Sequence, residues 1–246
     1  TCCHPALSED SQVALTVRTI SQLTTREIAL AVLQPEATVG QRISRAKHKI
    51  KAANIPYRVP SDAELPNRLP PVLHVLYVTF TAGYAAFEGP ADGRVELGEE
   101  AIRIARMLVR LMPDEPEARG LLALMLATWA RRATRVDGHG DIVLLADQDR
   151  SLWDLEAIDQ ARSIMVEGGG AGGARWYGVQ ASIALEHATA PSFDATDWHR
   201  IAGLYADLAE INPSPVVAVN RAVAVAHAGR PSDGLALLDD VAEVAE

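Results

Sequence analysis

Apolar residues recur three and four positions apart along almost the whole chain, the spacing of helices that bury one face. The pattern predicts helices over 9–21, 24–33, 36–52, 67–85, 96–111, 116–133, 152–166, 174–189, 197–211, 215–228 and 232–244. Start signals support several of these ranges. Thr24-x-x-Glu27, Ser61-x-x-Glu64 and Ser151-x-x-Asp154 fit the pattern in which a hydroxyl and a carboxylate satisfy the free amides of a first turn. Pro116 and Pro215 stand where a first turn tolerates a missing N–H. The expected fold class is all-α.

Four stretches interrupt the rhythm. Val72–Phe80 is rich in β-branched and aromatic residues and reads as a buried strand or a helix; its helical neighbours favour helix. Arg135–Asp149 holds Asp137-Gly138-His139-Gly140-Asp141 between short apolar runs, a small hairpin or loop. Gly168–Gly173 lacks the preceding strand and closing Lys-Ser/Thr of a phosphate-binding loop, and reads as a flexible connection. Pro56, Pro60, Pro66, Pro70 and Pro71 fall within sixteen residues, which breaks helices and stiffens a tether. The expected layout is therefore a domain over 1–55, a Pro-rich linker over 56–66 and a larger helical domain over 67–246. Within the last, 197–246 has the rhythm of a helical-hairpin repeat. Trp198 and Tyr205 share a helix that Asn212-Pro213 ends, Val216–Ala228 follows, and Gly229-Arg230 turns into Leu235–Val241. Repeats of this kind present a surface to a peptide or protein partner, or merely brace one another.

Charge divides the chain in a similar place. Its net charge is −9, yet residues 1–58 hold eight Lys/Arg against four Asp/Glu and the remainder fifteen against twenty-eight. All three lysines, Lys47, Lys49 and Lys51, lie within five residues. A basic segment beside an acidic one suggests two tasks, one of them near a polyanion.

Residues 23–50, LTTREIALAVLQPEATVGQRISRAKHKI, have the form of a helix-turn-helix. At 100° per residue, Val39, Ile43, Ala46 and Ile50 lie within about 60° of one another and make a buried face. Thr38, Gln41, Arg42, Arg45 and Lys49 fall on a different face, within about 100°, where side chains can donate to bases and phosphates together. Leu23, Ile28, Ala29 and Val32 supply the matching apolar side of the first helix.

Other chemistry is sparse. No apolar run is long enough to cross a membrane and no signal peptide opens the chain, so a cytoplasmic protein is expected. The opening Thr-Cys-Cys-His, without an initiator Met, reads as the interior of a longer protein. Cys2 and Cys3 are adjacent and, even with His4, lack the separated pairs of a zinc site; reduced thiols at the edge of a core are expected. Asp147, Asp149, Arg150, Trp153 and Asp154 could hold a metal or act as acid and base, but a helix cap and an Arg–Asp pair account for them. His187 and His199 have no metal-binding spacing. No catalytic residue, metal or cofactor is expected.

Leu23, Thr24, Glu27, Ile28 and Ala29, then Thr38, Val39, Arg42, Ile43, Arg45, Ala46, Lys47, Lys49 and Ile50, carry a resemblance as well as a pattern. They stand in register with L-[ST]-x-x-E-I-A, a turn, and T-[VM]-x-x-R-[LIV]-x-R-A-[KR]-x-[KR]-[LI]. The segment resembles region 4 of the bacterial σ70 superfamily in its extracytoplasmic-function (ECF) class, and Leu15–Ile20 with Ser21-Gln22 resembles the preceding helix. Its turn, Leu33-Gln34-Pro35-Glu36, departs from the usual glycine-containing one. Leu121–Leu126, Asp147–Asp154 and Ser214–Ala222 resemble stretches of the ECF subgroup with a long, tetratricopeptide-like C-terminal extension. Thr81-Ala82-Gly83-Tyr84 is similar to that subgroup's Asn-Glu-Gly-Tyr, with its first two residues changed. The resemblance implies a σ factor that binds the promoter −35 element and RNA polymerase core, contacting DNA through Thr38, Gln41, Arg42, Arg45, Lys47 and Lys49. It implies regulation by the extension, and nothing here resembles region 2, so initiation by this chain alone is not expected. Two other readings stay open: a helix-turn-helix regulator with a helical-repeat sensor domain, and a non-enzymatic interaction scaffold.

Overall fold

A computed structural model of the chain describes residues 2–56, 58, 60–85, 92–167 and 175–245. Its α-helices are α1 (Glu9–Ile20), α2 (Thr25–Ala31), α3 (Glu36–Ala52), α4 (Leu65–Ala85), α5 (Asp92–Leu111) and α6 (Pro116–Trp129). They continue with α7 (Leu155–Glu167), α8 (Trp176–Thr189), α9 (Trp198–Ile211), α10 (Pro215–His227) and α11 (Pro231–Ala245). The described residues contain no strand, so the fold is all-α; Val72–Phe80 lies inside α4. The glycine run 168–173 lies outside the described residues. The stretch 135–149 holds a miniature hairpin: Val136 and Ile142 form an isolated antiparallel bridge, and Asp137 Oδ1 accepts from His139 N and Asp141 N.

The chain divides into two compact units, 1–108 and 109–246. This differs from the junction expected at 53–66. In the first unit α4 packs on α1 and α2, and Val75, Val78 and Ala82 share one core with Val13, Val17, Ile28, Val39 and Ile43. The prolines do not detach α4, because its opening turns take them up: Pro66 is its second residue, and Pro70 and Pro71 lie inside the helix. The segment ahead of α4 is also fastened. Glu64 accepts two hydrogen bonds from Arg58 at 2.8 Å, and two more from the Ser61 amide and hydroxyl. Arg68 Nη2 lies 3.6 Å from Glu64, while its Nη1 donates to the Cys3 carbonyl at 2.8 Å. Arg58, then Ser61, hold the Glu64 carboxyl well below the usual carboxylate range.

The second unit is a succession of packed neighbours: α6 on α7 and α8, α8 on α9, α9 on α10, and α10 on α11. Nearly every residue of α6 from Ala118 to Ala127 is buried, as suits a central helix. Its Gly120 meets the backbone of Gly178 on α8, and Glu117 accepts a hydrogen bond from Tyr177 N at 3.3 Å, capping α8 from another helix. Gly229, at φ 83°, ends α10: Arg230 N donates to Val225 O and Gly229 N to Ala226 O.

Residues 147–154 tie this unit together, and one expected cap is replaced. Asp149, not Asp154, holds Ser151, accepting from its amide at 2.9 Å and its hydroxyl at 2.6 Å. Asp154 caps α7 by itself, accepting from Ala157 N at 3.0 Å. Arg150 pairs with no aspartate in these contacts: its Nη1 donates to the carbonyls of His187 and Ala190 at the end of α8. Its guanidinium lies 4.5 Å from the centre of the Trp153 ring, whose Nε1 donates to Thr134.

Candidate nucleic-acid interface

The helix-turn-helix is built from short-range signals. Thr24 opens α2 with a reciprocal cap: its hydroxyl accepts from Glu27 N at 3.2 Å, and Glu27 Oε2 accepts from Thr24 N at 2.7 Å. Seven residues later the helix ends in a left-handed turn at Leu33, φ 52°, with Gln34 N donating to Ala29 O at 2.9 Å. Glycine usually occupies that position. Pro35 then caps α3 with extended backbone, and its carbonyl accepts from Thr38 N and Val39 N.

The turn therefore achieves the glycine geometry with a leucine that is 71% exposed. Left-handed backbone costs a residue with a Cβ roughly 1–2 kcal/mol, partly offset because glycine loses more entropy on folding. Leu33→Gly is expected to stabilise the first unit by roughly 0.5–1 kcal/mol. Calorimetric unfolding would measure this, and an unchanged or lower transition would mean that Leu33 carries no strain.

On α3, Val39, Ile43 and Ala46 are buried and Ile50 is half-buried against the same core, matching the predicted inward face. Gln41, Arg45 and Lys49 are exposed; Thr38 and Arg42 are half-buried. Helix geometry puts these five on one side, but Lys47, also exposed, lies about 180° round from Thr38. Exposed His48 falls on the flank of the face beside Gln41 and Arg45, a position that the charge pattern passes over. The side chain of Arg42 is not simply solvated: its Nη2 lies 3.0 Å from Asp10 Oδ2, on the first turn of α1. Sequence reasoning missed Asp10, since no local signal joins residues on two different helices.

The helix as a whole is electropositive. From 36 to 52, α3 carries Arg42, Arg45, Lys47, Lys49 and Lys51 against the single acid Glu36. Such a surface, with a hydrogen-bonding Gln41 among the cations, can hold phosphates and approach base edges. Cys2 and Cys3 are both free thiols, and Cys3 Sγ lies 3.3 Å from Thr16 Oγ1. Among the described residues no group of three or more His, Cys, Asp or Glu could hold a metal ion, and no helix is long and apolar enough to cross a membrane.

Comparison with known proteins finds matches to two segments of the chain. Residues 1–50 match the family model described as Sigma-70, region 4, and residues 68–167 match a family of unknown function, DUF6596. The chain is 42% identical over 242 residues to an uncharacterized protein of Rhizobium meliloti (strain 1021), covering 98% of the chain and 57% of that protein. It thus spans little more than half the length of this relative. No solved structure matches. The region 4 match supports a member of the sigma-70 family with a DNA-binding role.

Proposed function

We propose that the chain is the promoter-reading and regulatory part of an ECF-type σ factor, in which α3 binds the −35 element and the first unit engages RNA polymerase core. The observation that carries this reading is the exposed Gln41, Arg45 and Lys49, beside Thr38 and Arg42, on a different face from the buried Val39, Ile43 and Ala46 of a region 4-like helix. Lys49 lies within this face, whereas Lys47, on another side of the helix, serves a phosphate rather than a base. The second unit regulates this activity. Its α9, α10 and α11, each packed on the next, act as a tetratricopeptide-like repeat that receives a protein or peptide partner. The role is one of binding in the cytoplasm; the chemistry of transcription belongs to the polymerase.

Duplex binding of the full chain, followed by fluorescence anisotropy from low to moderate salt, tests the DNA-reading part. Each phosphate neutralised contributes about 0.9 to the slope of log affinity against log salt. Replacing Arg45 and Lys49 together by Ala is expected to lower that slope by roughly 2 and to weaken all duplexes alike. An unchanged slope would remove α3 from the interface. Absence of duplex affinity at low salt would favour an interaction scaffold.

A further inference from the structure

The pairing of Arg42 with Asp10 separates Arg42 from the other cations of α3. Arg42 Nη2 sits 3.0 Å from Asp10 Oδ2, and its side chain is 29% exposed while that of Asp10 is 57% exposed. None of the described ion pairs engages Arg45 or Lys49. One cation of the face is therefore held across to another helix, and its neighbours point into solvent.

We infer that Asp10 is a positioning residue for Arg42, and that Arg42 so held reads a guanine at its major-groove edge. This rests on the proposal that α3 reads DNA. The physical argument has three parts. A free arginine side chain carries about 2 kcal/mol of rotamer entropy, which a mobile side chain loses on binding. The Asp10 carboxylate, 3.0 Å from Nη2, draws the guanidinium to one side of α3 and narrows the positions it takes before DNA arrives. Arginine has five N–H donors, so the remaining donors stay available for the O6 and N7 acceptors of guanine.

The charge of Asp10 gives the second argument. A carboxylate beside a DNA-facing surface repels the phosphates of every duplex alike, so it lowers affinity in general. Such a group is useful there when it sharpens the choice between sequences, because it fixes the geometry of a base contact. Its neighbour Glu9 engages a different partner, lying 3.6 Å from His74 Nδ1, so the two acids of this turn are divided between α3 and α4. A role for Asp10 confined to the N-terminal dipole of α1 would affect stability but leave base preference untouched.

The two roles of Asp10 predict different results in one experiment. The full 246-residue chain is used to select from a duplex pool with a randomised window, in parallel with Asp10→Asn, Asp10→Glu and Arg42→Ala. Arg42→Ala is expected to erase the preference for one G·C pair. Asp10→Asn is expected to weaken the preference at that same pair by roughly tenfold, the lower range for one bidentate contact, while affinity for random duplex rises. Asp10→Glu should restore part of the preference. If Asp10→Asn raises affinity for all duplexes and leaves the preferences intact, Asp10 is only a repelling charge and the inference is overturned. It is overturned equally if Arg42→Ala leaves every preference in place. A wild-type chain that binds no duplex would instead remove the DNA-reading function itself, and this role with it.

Discussion

Replacing Gly120 by alanine is expected to destabilise residues 109–246 by about 2–3 kcal/mol, the reverse of what that exchange does in most helices. In an open helix, Gly→Ala stabilises by about 1 kcal/mol, because alanine has less backbone freedom to lose. At Gly120 an added Cβ would lie 2.6 Å from Gly178 N, 2.8 Å from Gly178 Cα and 3.0 Å from Tyr177 C. All three are backbone atoms, so no side chain can swing aside. The helices α6 and α8 would have to separate, weakening the Glu117 cap that lies one turn away. Gly203 on α9 supplies the contrast, since a Cβ there meets nothing within 4 Å. Gly203→Ala is expected to stabilise the same unit by roughly 0.5–1 kcal/mol. The chain's four tryptophans, Trp129, Trp153, Trp176 and Trp198, all fall in this unit, so their fluorescence in a denaturant titration reports on it alone. Equal shifts for the two variants would mean that α6 and α8 do not meet at Gly120.

Acidification supplies the second large effect. Burial, and after it the charges of Arg131 and Arg150, push the His187 imidazole down from its ordinary value to about 4. Its ring meets Trp198 edge-on at 5.3 Å between centroids, and the carbonyl of its own residue accepts from Arg150. Since the folded value lies below the unfolded one, the unfolded chain binds the extra proton first as pH falls. The stability contributed by neutral His187 is thus complete above about 6.5, and it is lost as pH drops from there towards 4. The loss amounts to at most about 3 kcal/mol. Tryptophan-monitored unfolding across this window, compared with His187→Gln, isolates the effect. Parallel curves for the two proteins would contradict it.

The helices were legible because their apolar spacing is local. The inward face of α3 followed from the same geometry, and the Thr24–Glu27 cap from its spacing. What was not legible depends on which helices meet. The prolines from 56 to 71 have the composition of a tether, but their effect depends on position: the opening turns of α4 accommodate Pro66, Pro70 and Pro71, and burial of Val75 and Val78 binds that helix to α1. The Ser151–Asp154 spacing fitted a cap, yet Asp149 is close enough to capture the hydroxyl first. Arg150 suggested an aspartate partner by proximity in sequence, whereas the free carbonyls at the end of α8 attract it in space. The joining of Arg42 to Asp10 likewise depends on how α1 crosses α3.

The packing of α4 also bears on how portable α3 is. A hybrid regulator that borrowed residues 1–55 alone would leave Val13, Val17 and Ile28 without the Val75, Val78 and Ala82 that cover them. Such a graft would carry a sticky apolar wound beside a cationic surface, an invitation to aggregate on nucleic acid. The compact unit that contains α3 runs over residues 1–108, so a graft that keeps this core covered has to carry α4 as well.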